Sequence, residues 1–276
     1  MNLKKKKVLK FYKELPFNIY SSHSEMIKAI KTQNPLVAYP VLKKIIKKFE
    51  KPNILDIGSG CGWFLNSLNY HTKNINCTGI DFNQRAVDYS NDINKKLNAK
   101  NKFIKKDLFK IAFKKKFELI TSIGVLHHTE NLPKAINHIT KFLKKDSFFF
   151  LGLYHTYGRK PFLDYFKKMK NKSENYRFLK YKELHKTYSN DDTHLYSWFR
   201  DQVLHPHETQ HSFKEISKLL IKLGYEIQLT SINKFQKIRS FQEIYELEKK
   251  YYNIGMQKLK NLKYFPGFFI ILAKKK

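Results

Sequence analysis

The stretch that most constrains this chain is Ile54-Leu55-Asp56-Ile57-Gly58-Ser59-Gly60-Cys61-Gly62-Trp63. A mostly apolar run enters a glycine loop, and the loop enters a helical pattern, so the segment reads as strand, tight turn and helix. Glycines there permit a tight turn and let a ligand approach the backbone beside a helix N-terminus. The dinucleotide fingerprint Gly-x-Gly-x-x-Gly would need a glycine at position 63, where Trp63 is too large for close helix–strand packing. No lysine follows, as a phosphate-binding P-loop requires. Gly-x-Gly-x-Gly with Asp56 two residues ahead suits a ligand without a pyrophosphate.

Beyond this loop, short apolar runs alternate with helical periods, the pattern of a parallel α/β sheet. Strands are expected over Asn53–Ile57, Cys77–Asp81, Phe103–Lys106, Phe117–Ser122 and Ser147–Leu153, with helices over Trp63–Tyr70, Gln84–Leu97 and Leu132–Lys144. Ser212 and Glu215 form a capping box for a helix that Gly224 stops. Tyr225, Ile227 and Leu229 then alternate as a strand, and Phe268–Ala273 reads as a central strand, apolar on both faces. A further helix is expected over Val37–Phe49.

Two more acidic residues close strands on the edge that carries the glycine loop. Asp81, in Gly79-Ile80-Asp81-Phe82, has the position of a group that accepts both hydroxyl protons of a ribose. Asp107, before Leu108, is placed to accept a hydrogen bond from an adenine amino group while Leu108 covers the ring. Asp81 alone reads equally well as a helix cap; the order and spacing of all three features carry the reading.

Leu55-Asp56-Ile57-Gly58-Ser59-Gly60-Cys61-Gly62, then Gly79-Ile80-Asp81, then Phe117-Glu118-Leu119-Ile120-Thr121-Ser122-Ile123-Gly124-Val125-Leu126-His127-His128, resembles a class I S-adenosylmethionine-dependent methyltransferase. The last segment is similar to the group that includes the quinone-biosynthesis methyltransferases. The resemblance covers residues 50–153 plus the closing helix and strands. It implies a Rossmann-like sheet of seven mostly parallel strands, the last antiparallel, with helices on both faces. It also implies S-adenosylmethionine as cofactor, with Asp56, Gly58 and Gly60 at its methionine part, Asp81 on the ribose, and Phe82, Asp107 and Leu108 at the adenine. Ser122 is taken as a further cofactor contact.

Around that core the chain divides into an N-terminal helical cap over 1–50, the cofactor core over 51–153, a substrate-cap insertion over 154–210, and the rest of the core over 211–276 with a helical insertion at 233–264. Extra elements placed after strand ends build the substrate side of such folds. His127 and Tyr154 are the candidate catalytic groups, a histidine having the pKa that suits a general base. The alternative for His127 and His128 is that they cap the loop. Candidate substrate contacts are Tyr20, His128, Tyr157, Arg159, Trp198, His205 and His207, with Arg159 able to clamp a carboxylate or phosphate through its fork. His205, His207, His211 and Glu208 raise a metal reading, but the His-x-His spacing is short, Pro206 favours extended backbone and no cysteine assists, so no metal is expected.

Composition bears on the substrate. Fifty-four basic residues against 23 acidic ones give +31, which raises nucleic acid as a partner. Only five of the basic residues are arginine, the residue that makes paired hydrogen bonds to phosphates and bases. The expectation is methyl transfer to a small polar or amphipathic metabolite by in-line displacement, with an RNA methyltransferase (tRNA or rRNA) as the alternative. Two cysteines form no framework and no apolar run approaches the roughly 20 residues that cross a bilayer, so a cytoplasmic chain is expected.

Overall fold

The computed structural model describes residues 3–185 and 189–276. The expected insertion over 154–210 therefore includes three positions, 186–188, outside the described residues. Four helices precede the sheet: α1 Leu3–Glu14, α2 His23–Thr32, α3 Pro35–Ala38 and α4 Pro40–Ile46. The alternating core follows as β1 Asn53–Ile57, α5 Trp63–His71, β2 Asn76–Asp81, α6 Gln84–Lys96, β3 Lys102–Lys105, β4 Phe117–Ile123, α7 Leu132–Ile139 and β5 Leu143–Tyr154. Then come α8 Thr156–Lys167, α9 Glu174–Leu184, α10 Asp192–Phe199, α11 Phe213–Lys222, β6 Tyr225–Thr230, α12 Phe241–Lys249, α13 Tyr251–Lys260 and β7 Phe268–Lys275.

The seven strands form one sheet in the order β3-β2-β1-β4-β5-β7-β6. β7 runs antiparallel between β5 and β6, and the other pairings are parallel. Strand order reverses at β1, which pairs with β2 on one side and β4 on the other, so a crevice opens beyond their carboxyl ends. Apolar residues of β1, β4, β5 and β7 feed packed cores on both faces of the sheet. The Rossmann-like class with seven mostly parallel strands holds.

Most expected elements form within a residue or two of their limits, and the larger departures lie in the helices and at the start of β5. The helix expected over Val37–Phe49 breaks at Tyr39 because Pro40 disfavours helical backbone in the residue before it. The helix expected to Lys144 ends at Ile139; a 3-10 turn over Thr140–Phe142 follows, and Leu143 already pairs with Phe117. The helical pattern at 233–264 is two helices, α12 and α13. Of the capping box, the Ser212 half forms, its Oγ accepting from Glu215 N at 3.0 Å, while the Glu215 carboxylate pairs with His211 Nδ1 at 2.9 Å; Gly224 leaves the helix at φ +82°.

At one joint the insertion meets the sheet with no space for a side chain. A Cβ on Gly267 would lie 2.1 Å from the carbonyl carbon of Gly158, and its φ is +69°. Gly267→Ala is expected to destabilise the fold by about 3 kcal/mol, because backbone must move and the left-handed conformation is strained. Urea denaturation measures this; an unchanged midpoint contradicts the packing described.

Candidate functional site

The glycine loop is held open by the neighbouring strand. Gly58 N and Ser59 N both donate to Ile80 O, at 2.8 and 2.9 Å. Gly58, Gly60 and Gly62 take φ of +72°, +51° and +77°. A Cβ on Gly58 would fall 2.5 Å from both methyls of Val125, so only glycine lets the loop and the end of β4 approach this closely. Asp81 ties the loop from the other side, accepting from Gly60 N at 3.0 Å and from Asn83 N at 2.8 Å. Burial raises the Asp81 carboxyl, opposed by these backbone donors. Asn83 caps α6 and donates to Tyr12 O at 2.7 Å, joining the N-terminal helix to this edge.

Asp56 lies behind the loop, accepting from Thr121 Oγ1 at 2.6 Å. Burial is the main cause that pushes its carboxyl up to about 7. Between an unfolded pKa of about 4 and that value, the folded chain holds a proton that the unfolded chain has released, so this group's contribution to stability is lost as pH rises through the window. Asp56→Asn is expected to gain stability relative to the parent on going from pH about 4 to about 7. Unfolding midpoints across that range test the sign, and a constant difference between the two proteins contradicts it.

Beyond the loop lies a cavity of about 690 Å³. Asp56, Gly58, Gly60, Asp81, Phe82, Asp107 and Leu108 line it, together with Tyr154 and His128 from the ends of β5 and β4 and Trp198 from α10. Its roof is the N-terminal region and the insertion: Val8 and Tyr12 of α1, the Pro16–Asn18 segment, Asp201 and Gln202 after α10, and Tyr264–Pro266 before β7. Asn18 clasps the two together, its Oδ1 accepting from Trp198 Nε1 at 2.9 Å and contacting His194 Nε2 at 2.6 Å.

Seven of the residues expected in the site do not line this cavity. Ser122 is fully buried between strands, its hydroxyl directed to Ile57 O at 3.4 Å. Tyr20 is buried against the His194 ring, 4.0 Å between centroids. Tyr157 stands 40% exposed on the first turn of α8, beside His155. His207 holds the loop after β4, with Nε2 3.2 Å from Thr129 O, and His205 packs its ring 3.7 Å from that of His128. His127 is fully buried one layer behind: its Nδ1 accepts from Tyr154 N at 3.3 Å and its Nε2 lies 3.1 Å from His128 Nε2. Burial, then the neighbouring His128, hold its pKa well below the usual histidine value, so it is not a base poised at neutral pH. Tyr154 does face the cavity, but burial raises its phenol well above the ordinary value, which makes it a donor rather than a base.

Arg159 is the largest correction. Its guanidinium is fully buried and its fork is spent on Glu208, Nε to Oε1 at 2.8 Å and NH2 to Oε2 at 2.6 Å. NH2 also reaches Gln202 O at 2.7 Å, and the guanidinium stacks 3.8 Å over the Tyr154 ring. It fastens the cap: its fork is committed to protein partners, and Arg159 itself lies outside the cavity lining. Arg159→Lys, which keeps the charge and loses the fork, is expected to cost about 3 kcal/mol of stability. Thermal and urea unfolding read this loss; a variant as stable as the parent contradicts the structural role.

The histidines and acid weighed for a metal do not converge. Glu208 holds Arg159, His207 holds Thr129, and His211 Nδ1 pairs with Glu215 at 2.9 Å. His205 instead meets His128 and Asp201, the three offering side-chain atoms within 4.8 Å of one another. Sequence reasoning missed Asp201, Tyr12, Gln202 and Tyr264; the signal for Asp201 was its place in the chemically dense run Trp198-Phe199-Arg200-Asp201-Gln202, ahead of His205-Pro206-His207.

A family model described as a methyltransferase domain matches residues 48–219. The chain belongs to that family. The release factor glutamine methyltransferase of Buchnera aphidicola subsp. Acyrthosiphon pisum is 38% identical over 97 residues, 35% of this chain and 32% of that protein. The chain thus spans about a third or less of the length of the curated relatives it matches. Among solved structures, magnesium protoporphyrin IX methyltransferase from Synechocystis PCC 6803 with bound SAM superposes at a TM-score of 0.54, with 13% identity over 100% of this chain and 99% of that one. The plantazolicin methyltransferase BpumL in complex with SAH gives 0.53, with 18% identity over 99% and 96%. These likenesses show the methyltransferase fold over the whole length of the chain. The loop fits the cofactor that the solved neighbours carry: Gly58 and Gly60 line the cavity without a side chain, and the buried Asp81 carboxylate lines the same space.

Proposed function

We propose that this methyltransferase-family protein transfers a methyl group from S-adenosylmethionine to a small amphipathic molecule enclosed in the capped cavity. The observation that carries this reading is the continuity of one cavity, from the glycine loop and Asp81 to Tyr154, Trp198, Asp201 and Phe268. Its volume lies within the roughly 300–1,000 Å³ of small-molecule sites. Bound there, S-adenosylmethionine supplies an electrophilic methyl group on a sulfonium. In this reading the backbone of Gly58 and Gly60 lies against its methionine part, Asp81 accepts from the ribose hydroxyls, Phe82 and Leu108 flank the adenine, and Asp107 accepts from its amino group.

The protein's own task is then alignment and exclusion of water. Good orientation alone contributes about 7–11 kcal/mol to such a reaction. The N-terminal 1–50 segment and the 154–210 insertion serve as the substrate cap, with Trp198 and Tyr154 among its contacts. His127 acts as a positioning residue, because it accepts the backbone N–H of Tyr154 and abuts His128.

The +31 charge supports an RNA substrate as the second reading. Against it, Lys106 is the one lysine or arginine among the described residues lining the cavity, where a basic track would be needed. Titration calorimetry with S-adenosylhomocysteine, repeated in excess transfer RNA across a salt series, separates the two. The expected result is cofactor binding that RNA leaves unchanged, with RNA binding weak and steeply salt-sensitive. Asp81→Ala is expected to weaken the cofactor by about tenfold or more, as loss of uniform binding. Tight, salt-resistant RNA binding reverses the order of the readings, and no cofactor binding removes both.

A further inference from the structure

We propose that Asp201 is the recognition point for the methyl acceptor, and that the acceptor presents an amine or hydroxyl head on an apolar body. This rests on the methyl-transfer reading of the cavity and names the substrate class that the cavity takes.

Asp201 is 5% exposed, lines the cavity and comes from the insertion, not from the cofactor edge. A π-helical turn over Arg200–Leu204 carries it, directly after α10. Such turns re-aim side chains and recur at functional sites. This one is pinned in place: the Gln202 side chain accepts from Tyr181 OH at 3.0 Å and donates to Tyr264 OH at 2.6 Å, while its carbonyl takes Arg159.

The carboxylate so presented has acceptor capacity to spare. An ionised carboxylate offers about four lone-pair sites. Tyr12 OH fills one on Oδ1 at 2.5 Å, and Tyr154 OH donates a longer bond to Oδ2 at 3.4 Å. Among the described residues Asp201 pairs with no lysine or arginine, and the neighbouring Arg159 is committed to Glu208. His128 Nε2 lies 3.7 Å away but brings no proton in the arrangement shown. His127 Nδ1 accepts from Tyr154 N, so its Nε2 carries the proton and donates to His128 Nε2; His128 Nδ1 then donates to His207 O at 2.9 Å. His205 Nδ1 accepts from His207 N at 3.0 Å, which puts its proton on Nε2. A hydrogen-bond chain therefore runs beside Asp201 from Tyr154 N through His127 and His128 to His207 O, and it occupies both nitrogens of His128. The protonated Nε2 of His205 is buried without a hydrogen-bond partner among the described residues.

Burial with only the two tyrosine hydroxyls as donors leaves lone pairs of the carboxylate unmet, and burial is the main cause that raises the Asp201 carboxyl. A head group with N–H or O–H donors removes that penalty; a ligand carboxylate adds a second negative charge to the same space. The aromatic faces of Trp198, Tyr264 and Phe268 surround the apolar body and favour a cationic amine further.

The test uses the full chain and three probes of similar shape: phenethylamine, 4-ethylphenol and phenylacetate, titrated with and without S-adenosylhomocysteine. In the parent protein the amine, the phenol or both are expected to bind at millimolar or lower concentration, and phenylacetate about tenfold or more weakly. The arm that binds tighter tells amine from hydroxyl. Asp201→Asn is expected to erase the difference between donor and carboxylate probes while S-adenosylhomocysteine affinity and melting temperature stay near those of the parent. The proposal is overturned if phenylacetate binds as well as the donors, if none of the probes binds, or if a folded Asp201→Asn protein keeps the preference. Should that variant not fold, the probe series on the parent still decides. Loss of S-adenosylhomocysteine binding by the parent sinks the methyl-transfer reading alone, because the probes report on Asp201 without it.

Discussion

Burying a guanidinium away from water is unfavourable unless its donors are met, and the upper half of this molecule is arranged around meeting those of Arg159. Its partners come from segments far apart in the chain: Glu208 beyond the π-helical turn, the carbonyl of Gln202 within it, and the carbonyl of Pro266 before the last strand. Its flat face covers Tyr154 at the end of β5. One side chain thereby fixes where the insertion sits on the sheet and which way Asp201 and Tyr154 face. Removing one partner of such a pair is far more damaging than replacing both, which is why the site's geometry depends on a residue that does not touch its cavity.

The lower half depends on the opposite device, the absence of side chains. Gly58, Gly60 and Gly62 take left-handed backbone, and the Ile80 carbonyl and Asp81 carboxylate hold that backbone against β2. A loop of left-handed glycine backbone and a cap fastened by a buried ion pair then share one cavity. The N-terminal helix bridges them: Asn83 donates to the Tyr12 carbonyl while the Tyr12 hydroxyl reaches Asp201. Tyr12 is thus bonded to the glycine-loop edge through its backbone and to the insertion through its ring.

What was legible in the sequence follows this division. The glycine loop, Asp81 and Asp107 are encoded locally, in spacings that a strand-turn-helix reading exposes, and the sheet with its antiparallel final strand followed from alternation and from the resemblance. The cap is built from contacts over long separations. Tyr12 and Asp201 are 189 residues apart, and Arg159 and Glu208 are 49 apart. An arginine after a strand reads as a substrate clamp until its partner is known, and the pair His127-His128 gives no sign of which ring faces the cavity. Helix limits failed where proline or an early strand pairing overrode periodicity, at Pro40 and Leu143.

The central claim is that cofactor and acceptor share this single cavity, with Asp81 at one part and Asp201 at another. A crystal structure of the full chain with S-adenosylhomocysteine tests it most directly. The account predicts the ribose on the Asp81 carboxylate, the adenine between Phe82 and Leu108, and the sulfur facing the space bounded by Tyr154 and Asp201. S-adenosylhomocysteine bound away from Asp81, or with its sulfur separated from Asp201 by closed protein, would contradict it.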